Sequence, residues 1–229
     1  MCQYPRSHER VRVAIDGPSG AGKSTVAKRI AKEIGADYID TGAMYRAIAL
    51  KLLREGIDPE SDHDGLTALL AATVVDFSGG LALLDGVDVT GDIRSADVTS
   101  MASLCSALPP VRKKLVELQR AMGMAKSVVM DGRDIGTNVF PDAEHKFFLT
   151  ASVEERAKRR YTEMAARGEQ ADYAEVMKAI EKRDYDDSHR ALNPLARADD
   201  AALIDTDGVS IEEVTEKILS YMFPTIPMV

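Results

Sequence analysis

The residues best suited to chemistry are Gly17-Pro18-Ser19-Gly20-Ala21-Gly22-Lys23-Ser24, which fit the pattern G-x-x-x-x-G-K-[ST] and run on into Thr25. Glycines at that spacing let backbone N–H groups converge on an anion, and a helix N-terminus adds unpaired donors and the positive end of a dipole. The Lys23 ammonium can reach the outer phosphates of a polyphosphate, and the Ser24 hydroxyl can ligate Mg²⁺. The alternative is a chance glycine-rich turn, and the flanking sequence argues against it.

Such a loop has to be held between a strand and a helix. Val11, Val13, Ala14 and Ile15 form a short apolar run of buried-strand character ahead of it. Behind it, Val26, Ile30 and Ile34 recur at i, i+4, i+8, which places them on one helix face, and Gly35 supplies a stop. The segment 11–35 therefore reads as strand, phosphate loop and helix.

The rest of the chain must supply the second half of any reaction. With 229 residues, 45% hydrophobic and 29% charged, it has the length and composition of one globular α/β domain with a small insert. Its net charge of −8 argues against nucleic acid or an anionic membrane surface as the main partner, so an anionic ligand needs a local basic cluster. Cys2 and Cys105 have no metal-ligand spacing and make no disulfide framework, which predicts free thiols. Residues 1–10 are polar and lack an apolar h-region, and nowhere do 18 apolar residues run together. A soluble, cytoplasmic, monomeric protein with a disordered extension over 1–10 is expected.

Further strands are predicted at Tyr38–Ile39, Ser127–Met130, Lys146–Leu149 and Ala202–Ile204, alternating with helices. With the first they predict a five-stranded, doubly wound parallel sheet, with ligands beyond its carboxyl edge. Helices are expected over Ala43–Arg54, Leu66–Ala72, Ser95–Leu108, Val111–Met122 and Tyr173–Asp184, with Pro109-Pro110 ending the third. Between the second and third of these, Val74–Phe77, Leu81–Leu84 and Val87–Val89 read as an antiparallel meander turned at Gly79-Gly80 and Asp85-Gly86. Ser152 with Glu155, and Ser210 with Glu213, read as capping boxes. The first opens an arginine-rich helix carrying Arg156, Arg159, Arg160 and Arg167; Arg159 and Arg167 read as members of a solvated charged face.

Basic residues also recur at predicted strand ends and element starts: Arg46, Arg94, Arg112, Arg133, Arg156, Arg160, Arg183 and Arg190. Together with IDGPSGAGKST at Ile15–Thr25, DTGAMYRA at Asp40–Ala47, GDIR at Gly91–Arg94, DGRDIGT at Asp131–Thr137 and RALNPL at Arg190–Leu195, they make the chain resemble the bacterial cytidylate kinases, within the nucleoside monophosphate kinases. The segments run in family order over all but the first ten residues.

The resemblance implies transfer of the ATP γ-phosphoryl group to CMP or dCMP, with Mg²⁺. It also implies a single kinase domain over 11–229: a phosphate-loop core (11–60 and 109–229), a monophosphate-binding insert (about 61–108) and a short helical lid (about 152–170). Residues 17–25 then hold ATP, Ser24 holds Mg²⁺, and Lys23, Arg133, Arg160 and Arg190 are the catalytic cations. Arg156 is expected over adenine and Arg160 near the phosphates. Thr41, where the family commonly has serine, with Tyr45 and Arg46, falls in the acceptor-phosphate segment. Ser103, Arg112 and Asp134 match base contacts, Arg133 and Arg190 phosphate contacts, and Arg183 and Asp187 ribose and phosphate contacts. None of His8, His63, His145 and His189 falls in a matched motif.

Two other readings stay open on the residues alone. A phosphate-loop signalling switch would want a guanine-specifying Asn-Lys-x-Asp, which this chain does not contain. Another small-molecule kinase, acting on uridylate, a nucleoside or a vitamin precursor, would share the loop and differ at the base contacts.

Overall fold

The computed structural model describes residues 10–78 and 80–224. The extension expected over 1–10 thus lies, but for Arg10, outside the described residues, as does Gly79 of the expected turn. The chain separates into two compact units, Met1–Tyr38 with Lys126–Val229, and Ile39–Ala125.

In the larger unit, β1 (Arg12–Asp16) is followed by α1 (Lys23–Ile34) and β2 (Asp37–Asp40), the strand in which the units divide. After the smaller unit come β6 (Val128–Gly132), β7 (His145–Thr150), α6 (Val153–Ala166), α7 (Tyr173–His189), β8 (Ala202–Asp205) and α8 (Ile211–Met222). The sheet order is β2-β6-β1-β7-β8, and the register from β6 across to β8 is parallel. All five expected parallel strands are present, each running a residue or two beyond its apolar run.

The core is what such a sheet requires. Val13 and Ile15 of β1, Val129, Phe147, Leu149 and Ile204 pack with Val26 and Ile30 of α1 and Val214 and Ile218 of α8. Burying each of these large apolar side chains stabilises the unit by about 1.5–3 kcal/mol before entropy is counted. Asp16 pairs with Gly132 across β1 and β6, so the segments that leave the two strands emerge side by side.

The smaller unit contains α2 (Thr41–Glu55), α3 (His63–Ala72), α4 (Ala96–Cys105), α5 (Pro109–Ala125) and the antiparallel meander β3 (Val75–Ser78), β4 (Leu81–Leu84) and β5 (Val87–Asp88). The Asp85-Gly86 turn has positive φ at both residues, as a tight hairpin demands. This unit is wider than the insert expected over 61–108.

Local expectations are corrected at four places. Pro109-Pro110 does not merely end a helix but occupies the first turn of α5, where no N–H is needed. Helix α7 continues past Asp184 to His189, so Asp187 is helical. Residues Ile135–Val139 form a single π-helical turn that no periodicity announced. Ser152 caps α6 by accepting from Glu155 N (3.2 Å), but the Glu155 carboxylate accepts from Arg159 Nε (3.0 Å), whereas Ser210 and Glu213 close a full capping box.

Candidate active site

The phosphate loop is bent at glycines of positive φ, and at Gly17 no side chain fits. Gly17 has φ +145°, and a Cβ there would stand 2.0 Å from the Leu149 carbonyl oxygen of β7. Gly22, at φ 83°, precedes the first turn of α1. Lys23 begins that helix, is only 6% exposed, and donates from Nζ to the Pro18 carbonyl (2.6 Å). Burial, then the positive charge of Arg133, holds the Lys23 pKa well below the ordinary lysine range; Arg183 acts the same way, while Asp131 and Asp16 oppose it. Three cations thus crowd one place, an arrangement that an anion would relieve.

Beside Lys23, Ser24 Oγ donates to Asp131 Oδ2 (2.7 Å), and Tyr38 OH donates to Asp131 Oδ1 (2.8 Å). Asp131 was not among the expected site residues. Its signal was present, an acid closing the apolar run of β6, where phosphate-loop enzymes place a metal-directed aspartate. Asp16, at the end of β1, was also missed; it accepts from Ile135 N (2.8 Å) and Gly136 N (2.7 Å).

The DGRD segment that ends β6 is tied to α7 and its exit by crossed ion pairs. Arg133 Nε donates to Asp187 Oδ2 (2.7 Å), and Arg190 Nη2 donates to Asp134 Oδ1 (3.0 Å). Asn138 Nδ2 donates to the other Asp134 oxygen (3.0 Å). Burial pushes the Asp187 carboxyl up, but the Arg133 charge and hydrogen bond, with the charges of Arg183 and Arg190, together hold the pKa below the usual range. Asp187 therefore orients Arg133.

The arginine-rich helix departs from expectation at two positions. Arg156 is not an open plane: it is 3% exposed and donates to the Ala151 carbonyl (3.0 Å) and the Ser19 carbonyl (3.1 Å), and pairs with Asp184 (2.6 Å). Arg159 does more than join a charged face, because its Nη2 donates to Thr206 O (2.6 Å) and its Nη1 to Thr206 Oγ1 (3.1 Å), beside the loop at Gly20. Arg160 is exposed and lies 3.5 Å from Glu163.

The expected residues of the smaller unit stand in a group of their own. Asp40 caps α2 by accepting from Ala43 N (2.8 Å) and lies 3.7 Å from Arg46 Nη2. Arg46 Nε is buried with no hydrogen-bond partner among the described residues, a costly arrangement unless a ligand accepts from it. The Arg112 guanidinium lies 6.0 Å from the Tyr45 ring centroid, and its Nη1 donates to Ser106 O (3.2 Å). Thr41 is buried on α2, and Ser103 is exposed on α4.

No helix among the described residues is long and apolar enough to cross a membrane. A crystal structure of an uncharacterized protein from Eubacterium ventriosum matches 94% of this chain and 99% of its own, with TM-score 0.55 at 14% identity, a likeness of fold alone. A cytidylate kinase of Caldanaerobacter subterraneus subsp. tengcongensis is 51% identical over 208 residues, covering 91% of this chain and 92% of that protein. One of Pelotomaculum thermopropionicum is 53% identical over 213 residues, covering 91% and 94%. The family model described as cytidylate kinase matches residues 13–223. With the phosphate loop, the crowded cations and the DGRD segment in place, the chain belongs to the cytidylate kinase family.

Proposed function

We propose that the chain transfers the γ-phosphoryl group of ATP to CMP or dCMP, giving CDP or dCDP and ADP. The observation that carries this is Lys23, buried at the loop's end and electrostatically crowded by Arg133 and Arg183, in a chain of this family. Transfer between phosphates asks for alignment, neutralised charge and excluded water, with little covalent help from protein. Residues 17–25 cradle the donor phosphates, Lys23 neutralises charge developing in the transition state, and Arg160 approaches from α6. Arg156 acts through the loop by holding the Ser19 carbonyl.

On the acceptor side, Arg133, Arg183 and Arg190, with Thr41, Tyr45 and Arg46 of the smaller unit, are assigned to the CMP phosphate. Asp187 is assigned to the ribose and to orienting Arg133. Ser103, Arg112 and Asp134 are assigned to the base. The Asp134 carboxylate, which accepts from Arg190 and Asn138, is an acceptor of the kind the cytosine amino group requires.

The Ser24 hydroxyl and Asp131 carboxylate fit Mg²⁺: both are hard oxygens, and this ion commonly takes one or two protein oxygens and completes its shell with water and phosphate. When bound there, it supplies charge neutralisation at the phosphate oxygens. A monomeric enzyme in the cytoplasm, where ATP is plentiful, completes the reading.

The test is a steady-state panel: ATP and Mg²⁺ with CMP, dCMP, UMP or AMP, following ADP release. CMP and dCMP should exceed UMP and AMP in kcat/KM by at least about tenfold, the discrimination expected of a site built to hydrogen-bond one base edge. Equal or faster turnover of UMP or AMP overturns the assignment.

A further inference from the structure

Asp16 is a buried carboxylate, 4% exposed, that the reaction as described does not use. It ends β1 immediately before the phosphate loop, yet the bonds it makes run sideways. Oδ1 accepts from Ile135 N (2.8 Å) and Oδ2 from Gly136 N (2.7 Å), both at the start of the π-helical turn. That turn is built on Asp134: its carbonyl accepts from Asn138 N (2.9 Å) and Val139 N (3.1 Å), and Asn138 Nδ2 also holds its side chain (3.0 Å).

The Lys146 stem of β7 lies behind the turn. Lys146 of β7 donates from Nζ to the Pro141 carbonyl and to Asp200 (2.7 Å). A Cβ added at Gly136 would meet Lys146 Cδ at 3.3 Å and Asp16 Oδ2 at 3.4 Å. Gly136 is thus the thickness of the contact between Asp16 and the Lys146 stem, and it fixes how closely the turn approaches β1.

We propose that Asp16 is a positioning residue for the acceptor nucleotide: by holding the amides of Ile135 and Gly136, it sets where Arg133 and Asp134 stand and so governs CMP binding rather than ATP binding. This rests on the proposed reaction. A carboxylate is the one side chain of its size that accepts from both N–H groups at once. An asparagine in its place turns an amino group toward one of them, and a protonated carboxyl turns a hydroxyl toward it.

The groups around Asp16 make protonation reachable. Burial pushes its carboxyl up to about 6; the amide bonds from Gly136 and Ile135 pull it down, Asp134 of the turn pushes it up, and Lys23 of α1 pulls it down. Asp131, paired with Ile15 across β1 and β6, and Lys146 on β7, across Gly136, complete the charged surroundings. The carboxylate is therefore intact above pH 6, and its grip is lost as pH falls through that value.

The test is calorimetric binding of CMP alone and of ADP with Mg²⁺, using the full chain, Asp16→Asn and Gly136→Ala. At pH 7.5, Asp16→Asn should weaken CMP about tenfold, the size of a lost hydrogen bond to a charged group, and leave ADP within about twofold. Gly136→Ala should weaken CMP in the same sense by a smaller factor. The CMP phosphate itself gains a proton near pH 6, so the decisive quantity is the ratio between wild type and Asp16→Asn. That ratio should shrink toward unity as pH falls from 7.5 to 5.

Equal weakening of CMP and ADP, or a ratio indifferent to pH, overturns the proposal and leaves Asp16 a support for the whole loop region. Wild type that binds ADP but no CMP overturns the proposed reaction and this inference with it. If Asp16→Asn does not fold, the CMP-against-ADP split in Gly136→Ala decides alone.

Discussion

Lys23 is placed where its own charge is unwelcome until an anion arrives. Burial and two arginines lower its pKa, so the protonated form that neutralises phosphate is the form the empty fold disfavours. Lys23→Met should therefore fold with a Tm no lower than wild type, while losing at least about 10²–10³-fold in kcat, the cost typical of removing one charge-stabilising donor. Retained turnover would end the mechanism. Asp134 carries the sharpest residue-level question, because its oxygens already serve Arg190 and Asn138. If it also accepts from the cytosine amino group, UMP presents a carbonyl there, a mismatch worth about 1–3 kcal/mol. Asp134→Asn should then lose more kcat/KM for CMP than for UMP and narrow their ratio. Equal losses would make Asp134 a brace for Arg190. The ion pairs that hold this segment are not local ones. Arg133 lies beside Asp134 in the chain, while the true pairs, Arg133–Asp187 and Asp134–Arg190, join residues more than fifty positions apart.

At the scale of elements, the loop and the sheet were legible because each has a local signature: glycines at fixed spacing, and apolar runs closed by polar residues. The π-helical turn at Ile135–Val139 was not, since its geometry comes from Asp16 gripping its first amides and from no periodicity of its own. Helix α6 shows the same limit. Its Glu155–Arg159 pair is the i, i+4 contact of a charged face, and it does form, yet the same guanidinium reaches Thr206 across the fold. Nor is α6 isolated, for Ala157 packs with Val176 and Ile180 of α7, and Arg156 pairs with Asp184. Arg156→Met, which leaves a partly buried Asp184 unpaired, should destabilise the protein by roughly 3–5 kcal/mol in chemical denaturation. Arg160→Met, at an exposed pair worth under about 1 kcal/mol, should leave stability unchanged and raise the KM for ATP. The reverse pattern would assign the two arginines the opposite way. Joint binding of ATP and CMP should slow hydrogen exchange over residues 160–170, with 152–157 protected from the start. Unchanged exchange over 160–170 would remove the lid from the scheme.

The whole molecule holds its cations locally against a net charge of −8, and it divides into two compact units. All residues assigned to ATP, 17–25 with Arg156 and Arg160, belong to the larger. Chains built this way need not unfold in one step, and a ligand stabilises only the cooperative unit whose native form it binds. ADP with Mg²⁺ at about a hundred times its Kd should add about 2.7 kcal/mol to that unit. Hydrogen exchange at increasing denaturant, read by segment, should show this gain in β1, α1, β6 and β7 and no comparable gain in the meander β3–β5 of the smaller unit. The loop is tied into the larger unit: Gly17 stands against Leu149, Ser24 donates to Asp131, and Arg156 donates to Ser19. Fixing that loop therefore fixes those strands and helices. A matching gain in the meander would mean that the two units unfold as one, and a gain confined to the meander would remove ATP from the loop.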